Sequence, residues 1–156
     1  MSLKMSMQKK EGYLPRIHLT GSIDEHSRIE EVVGSIKEDA SLDLSQIDRI
    51  NSVGLIIWLK SMGQLTKTYR ISVDVISYCL ATYANQLLDL FGTAPIRACM
   101  APYYCPKCKT NCEVLVSAVE VRAAKGAPPA KQCPKCNAPM DFDEMDQYFE
   151  FLRGQA

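Results

Sequence analysis

The sequence predicts an α/β fold with a mainly parallel sheet, followed by a small β module held by cysteines and a terminal helix. Three observations predict it. Strand-like and helix-like segments alternate over residues 12–100, the order from which parallel sheets are built. The composition changes after Pro95. Two copies of Cys-Pro-Lys-Cys then follow, at Cys105–Cys108 and Cys133–Cys136, separated by 24 residues. A chain of 156 residues holds one compact domain plus a stapled module. We divide it into residues 12–100 and 101–156.

The elements follow in order. Arg16–Thr20 is rich in apolar and β-branched residues and reads as a strand that Gly21 breaks. Asp24 is placed to cap a helix carrying Ile29, Val32, Val33 and Ile36, which share one helical face. Ser41–Leu44 reads as a short buried strand. Leu55, Ile56, Trp58, Leu59 and Met62 mark a second helix starting near Ser52. Ile71, Val73 and Val75 alternate with Ser72 and Asp74, which is strand periodicity. Leu80, Ala84, Leu87, Leu88 and Phe91 give a third helical stripe, with Gly92 as a left-handed cap and Pro95 beyond it. These stripes read as core faces, because amphipathic helices of a small domain must bury one side.

Past Pro95, Ile96–Tyr103 reads as one more strand leading into Cys105, and Glu113–Arg122 as another. Lys125–Gln132, with Gly126, Pro128 and Pro129, reads as an exposed loop. From Asp141 to Leu152 the chain is acidic and aromatic, and Met145, Phe149 and Leu152 share a helical face. That face offers a surface for pairing with a second copy of the chain, a homodimer. No long linker separates the two parts, so the cysteine module is expected to dock on the first.

Formal net charge is zero. Broad electrostatic attraction to nucleic acid or anionic membrane is therefore absent, and either would need a local patch. No apolar run is long enough to span a bilayer, and Met1–Gly12 lacks the apolar centre of a signal peptide. The expected location is the cytoplasm. In that reducing compartment the seven cysteines are read as thiols or metal ligands before disulfides.

Two residues between cysteines let a tight turn aim both sulfurs at one ion. Two such turns complete a tetrahedron of thiolates, which suits zinc. Cys105, Cys108, Cys133 and Cys136 are thus expected to bind one structural Zn²⁺ per chain. Lys107, Lys109, Lys131 and Lys135 lie nearby in sequence and offset the negative charge. The intervening strand and loop resemble a zinc ribbon. Metal binding would supply most of the folding free energy of so small a module, on the order of 10 kcal/mol. A thioredoxin-like redox pair competes with this reading, but such a motif occurs once, at a helix start. Iron in a four-cysteine site is the residual metal. Cys79, Cys99 and Cys112 are expected not to be ligands, and His18 and His26 lie far upstream.

Asp43-Leu44-Ser45 and Asn51-Ser52-Val53-Gly54-Leu55 together resemble the signature of the sulfate-transporter and anti-sigma-factor-antagonist (STAS) domain. That family has a strand ending in Asp-Leu-Ser, a loop, and Asp-Ser-Ser-Gly-Leu opening a helix. Gly21-Ser22-Ile23-Asp24 resembles an earlier turn of the family. The resemblance covers about residues 12–100. It implies a non-enzymatic regulatory protein that binds a protein partner, an anti-sigma factor or a serine kinase. It also implies Ser52 as a phosphorylation candidate and Asp24, Asn51, Ser52 and Gly54 as partner-facing residues. The chain departs from the family in carrying Asn51 for its aspartate and Val53 for its second serine. Serine is also a favoured helix N-cap, so Ser52 has a purely structural reading beside the regulatory one. Gly54 likewise can serve close packing alone.

A nucleic-acid-binding zinc-ribbon protein is the alternative function. It is disfavoured by the modest basic excess around the cysteines and by the acidic tail. A thiol oxidoreductase is a third. The sequence carries no phosphate-binding glycine loop and no nucleophile–histidine–acid pattern. The expectation is that the protein is not an enzyme.

Overall fold

A computed structural model describes residues 2–125 and 127–154. Seven strands form one mixed sheet in the order β1-β2-β3-β4-β5-β6, with β7 also on β5. Strand β1 is Lys4–Gln8, β2 is Arg16–Ile23, β3 is Ala40–Ile50, and β4 is Ile71–Ile76. Strand β5 is Ala98–Cys105, β6 is Thr110–Ser117, and β7 is Asp141–Phe142. Strands β2 to β5 run parallel, while β1, β6 and β7 pair antiparallel to their neighbours. The α/β class and the parallel centre agree with the sequence. β5 spans the division drawn at residue 100, so the two parts share a strand.

Helices α1 (Ile29–Gly34), α2 (Ser52–Thr68) and α3 (Tyr78–Ala84) connect the parallel strands. Strand side chains alternate as the period of two requires. Ile17, Leu19, Leu42, Leu44 and Val73 are fully buried, while Arg16, His18, Ser41, Asp43, Ser72 and Asp74 are not. The core therefore lies on one face of β2–β4, and the opposite face is polar. Trp58 anchors the core from α2. It is fully buried, donates from Nε1 to the Leu90 carbonyl at 3.0 Å, and meets Phe91 edge-on.

Several sequence expectations need correction. Strand β1 was not anticipated, because its alternation of Met5 and Met7 with Lys4, Ser6 and Gln8 lacks β-branched residues. Gly21 does not break β2. It sits at φ 109° beside a register shift between Gly21 and Ser22, so it acts as a bulge within the strand. Asp24 does not cap α1. The residue before that helix is Arg28, at φ 55°, with no side-chain cap. Asp24 instead closes a turn, accepting from the His26 amide and the Ser27 hydroxyl, each at 2.9 Å.

α3 stops at Ala84, well before Gly92, and turns cover the rest of the predicted stripe. At that end the Asn85 side chain bonds the Tyr148 carbonyl at 2.8 Å and the Phe151 amide at 3.0 Å. Gly92 does take the left-handed conformation, at φ 61°. The predicted strand Glu113–Arg122 ends at Ser117 and becomes α4 (Ala118–Ala123). Ser117 and Glu120 form a reciprocal capping box, and the period of two breaks between Val116 and Val119 at the same point. The C-terminal helix is also broken up, into β7, a 3-10 turn over Asp146–Phe149, and α5 (Glu150–Arg153).

The C-terminal segment docks on the first part of the chain. Tyr148 donates to the Met100 carbonyl, and the rings of Tyr103, Phe142, Tyr148 and Phe149 pack together. Tyr148, Phe149, Phe151 and Leu152 are buried within the chain. The apolar face assigned to pairing with a second copy is therefore covered, and only Met145 of it stays exposed. The predicted exposed loop is pinned at Pro129, which is buried and whose carbonyl accepts from the Tyr103 hydroxyl at 2.7 Å. Gly126 lies outside the described residues. No helix among the described residues is long and apolar enough to cross a membrane.

Candidate functional site

The four predicted cysteines converge. Cys105 ends β5, and the β5–β6 turn carries Cys108. Cys133 and Cys136 lie on a second tight turn, closed by the bridge between Gln132 and Pro139. All four sulfurs lie within 4.8 Å of one another. Cys105 Sγ is 3.5 Å from Cys136 Sγ, and Cys108 Sγ is 4.0 Å from Cys133 Sγ. These separations fit one tetrahedral ion: a metal–sulfur bond of about 2.3 Å gives sulfur–sulfur edges of roughly 3.8 Å. Among the described residues no other cluster of three or more ligating side chains forms.

The two knuckles are built alike. Each Cys-Pro-Lys-Cys is followed by a residue in the left-handed region, Lys109 at φ 55° and Asn137 at φ 62°. That reversal folds each turn back under its sulfurs. The Cys108 amide points at Cys105 Sγ, 3.3 Å away, and the Asn137 amide donates to the Cys133 carbonyl at 2.8 Å. The amides of Cys136 and Lys135 lower the Cys133 thiol to about 6, toward the ionised form that binds metals. Hydrogen bonding to Cys136 and the other sulfurs pushes Cys108 up to about 12 in the metal-free cluster, since adjacent thiolates repel. Lys131 is not free to balance the thiolate charge, because it is paired with Glu120. Cys99 is fully buried, and burial raises its thiol to about 12. Cys112 sits 3.4 Å from the Met140 sulfur, outside the four.

The second predicted site lies where β2 ends and α2 begins. The structure brings its four residues together. The Asn51 amide donates to the Ile23 carbonyl at 3.1 Å, tying the two elements. Asn51 is the N-cap, not Ser52: its Oδ1 accepts from the Gly54 amide at 2.8 Å. Its Nδ2 donates to Glu25 Oε2 at 2.6 Å, and this bond lowers the Glu25 carboxyl below its ordinary range. Asp24 is lowered too, first by the His26 amide and then by the Ser27 hydroxyl. Ser52 is the first helical residue, with an exposed side chain. Gly54 is buried, and an added Cβ would fall 2.2 Å from the Ile23 carbonyl oxygen. Its role at this junction is close packing.

Sequence reasoning missed three contributors here. Glu25 carried no motif. Val53, noted only as a departure from the family signature, and Ile56, counted as core, are 48% and 68% exposed beside Ser52. Helical spacing alone assigned Ile56 to the apolar stripe, but it projects from the far edge of that stripe. No protein-family model matches the chain, and no curated protein matches it.

Proposed function

We propose that this chain is a non-enzymatic regulatory protein. It binds a protein partner through the β2–α2 corner, and its C-terminal part is a zinc ribbon held by one structural Zn²⁺. The observation carrying the partner reading is the exposed pair Val53 and Ile56 on the first turns of α2, rimmed by Asp24, Glu25 and Asn51. Large apolar side chains grouped on a polar rim favour protein contact. The resemblance of this corner to the STAS signature supports the same reading and suggests an anti-sigma factor or serine kinase as partner. The family's aspartate is Asn51 here, yet Glu25 brings a carboxylate onto that side chain.

Phosphorylation at Ser52 would control this surface. A phosphate adds about −1.5 to −2 charges at pH 7 at the positive end of the helix dipole, and it stands next to the apolar pair that a partner would cover. Phosphopeptide mass spectrometry and pull-down from native cells test the reading together. A partner recovered by the wild type and lost with Ser52→Asp supports it; recovery unaffected by both Ser52→Asp and Ile56→Asp refutes it.

Zinc is the metal the donor set favours. Four thiolates in a tetrahedron suit Zn²⁺, which has no competing geometric preference. The ion would join β5, the β5–β6 turn and the second knuckle, so its work is structural. One zinc per chain in metal analysis is the expected result. Redox-active iron, with its visible absorption, would overturn it.

A further inference from the structure

A cleft of about 400 Å³ opens at the end of the sheet where β4 and β5 begin. Arg70 and Arg97 both line it, and no acidic side chain does. We propose that this cleft binds an organic phosphate, its phosphoryl group held by the Arg70 and Arg97 guanidinium groups and its apolar part by Leu14 and Pro95.

The walls are fixed by backbone bonds. Arg70 is held on both sides: its amide donates to Asp39 Oδ1 at 2.8 Å, and its carbonyl accepts from the Ala40 amide at 3.1 Å. The Arg97 amide donates to Val73, and its carbonyl accepts from Ala118, at 2.9 and 2.8 Å. The loop bearing Thr93 is pinned to α2, since the Thr93 amide donates to Thr66 Oγ1 at 3.2 Å. Gly92 has no room there for a side chain. The site is thus preorganised, which lowers the entropic cost of binding.

The two guanidinium groups, by contrast, have no hydrogen bond or ion pair among the described residues. Arg16 pairs with Asp43 and Asp74, Arg28 with Glu31, and Arg153 with Glu150. Asp39 accepts from the Arg70 backbone amide, and Asp74, on β4, pairs with Arg16; neither is ion-paired with the two guanidinium groups. A cation after the C-terminus of α2 is favourable in its own right, which accounts for Arg70 alone. It does not account for Arg97, on a different element facing the same space. Two guanidinium groups match the charge of a phosphomonoester dianion, and arginine binds phosphate through paired N–H donors. The Ser72 and Thr93 hydroxyls lining the cleft add neutral donors. The volume suits a small ligand.

Phenyl phosphate titrated into the full, metal-loaded chain tests this by amide NMR and calorimetry. The expected result is saturable binding with shifts confined to residues around Arg70, Ser72, Thr93 and Arg97, and inorganic phosphate binding more weakly. Arg70→Ala and Arg97→Ala should each weaken binding by about tenfold, the loss expected for a charge-assisted hydrogen bond. Both arginines are exposed, so the variants should stay folded, Arg70→Ala losing at most the small helix-end contribution. The proposal is overturned by no saturation up to roughly 10 mM, a range that still detects millimolar affinity. Unchanged affinity in both variants also overturns it, as do shifts located elsewhere. The outcome is independent of partner binding at the β2–α2 corner.

Discussion

Adding one methyl group at two glycines of the same helix should move stability in opposite directions. Gly54 and Gly63 both lie in α2. At Gly54 an ideal Cβ falls 2.2 Å from the Ile23 oxygen, 2.4 Å from its carbonyl carbon and 2.6 Å from Asp24 Cα. All three are backbone atoms, so no rotamer change relieves the clash. The β2 end cannot retreat freely, because Ile23 is paired with Ile50 and accepts the Asn51 amide. Helix propensity favours alanine by about 1 kcal/mol. Overpacking against fixed backbone costs about 3 kcal/mol, and with the Asn51–Gly54 cap bond disturbed the cost grows further. Gly54→Ala should therefore destabilise by about 2 kcal/mol net, or roughly 4–8 °C in Tm for a chain of this size.

At Gly63 nothing lies within 4 Å of the added Cβ. Only the propensity term remains, so Gly63→Ala should stabilise by up to about 1 kcal/mol. Urea unfolding followed by the fluorescence of Trp58, the one tryptophan, measures both in the same assay. A Gly54→Ala protein as stable as Gly63→Ala would refute the packing argument at the β2–α2 junction.

Asn51→Ala should cost about 1 kcal/mol by removing the α2 cap, and Asn51→Asp, which keeps the acceptor oxygen, should recover most of it in the same denaturation assay. Burial would raise Asp43, but the Ser45 hydroxyl and amide, with Arg16 and His18, outweigh it and hold the carboxyl below its ordinary value. Its contribution is therefore complete above the unfolded pKa of about 3.9 and lost as pH falls through the lower folded value; Asp43→Asn should flatten stability against pH in that acid range. Cys105→Ser or a strong chelator should release the metal and expose the β5–β6 end to proteolysis, whereas α2 should keep its helical circular dichroism; equal protease resistance with and without metal would contradict a folding role.

The metal-site candidates were legible because their signal is local and repeated. Two identical tetrapeptides need only one tight turn each, and spacing alone dictates that both sulfurs of a pair point one way. The left-handed residues that complete the turns, Lys109 and Asn137, were not legible, since neither is the glycine that such a conformation usually recruits. The parallel centre of the sheet was readable from Arg16 to Val75 because strand and helix periods differ. Element ends were less so. The capping box Ser117–Glu120 was present in the sequence, but the closely spaced valines Val114, Val116, Val119 and Val121 pointed to strand. Asn85 fastens the end of α3 to partners more than sixty residues away, which no local pattern reveals.

Sequence alone thus determined the α/β order and the cysteine quartet, since strand and helix periods and a repeated two-residue spacing are local in the chain, while the corner around Asn51 and Ser52 was suggested there only by its resemblance to the STAS signature. Tertiary structure decided which side chains those patterns leave outside. It covered Phe149 and Leu152 with the chain's own aromatic cluster, turned Ile56 out to solvent, and set Arg70 and Arg97 around one cleft. Exposure and charge pairing depend on distant elements meeting, and the spacing of residues along one element does not contain that information.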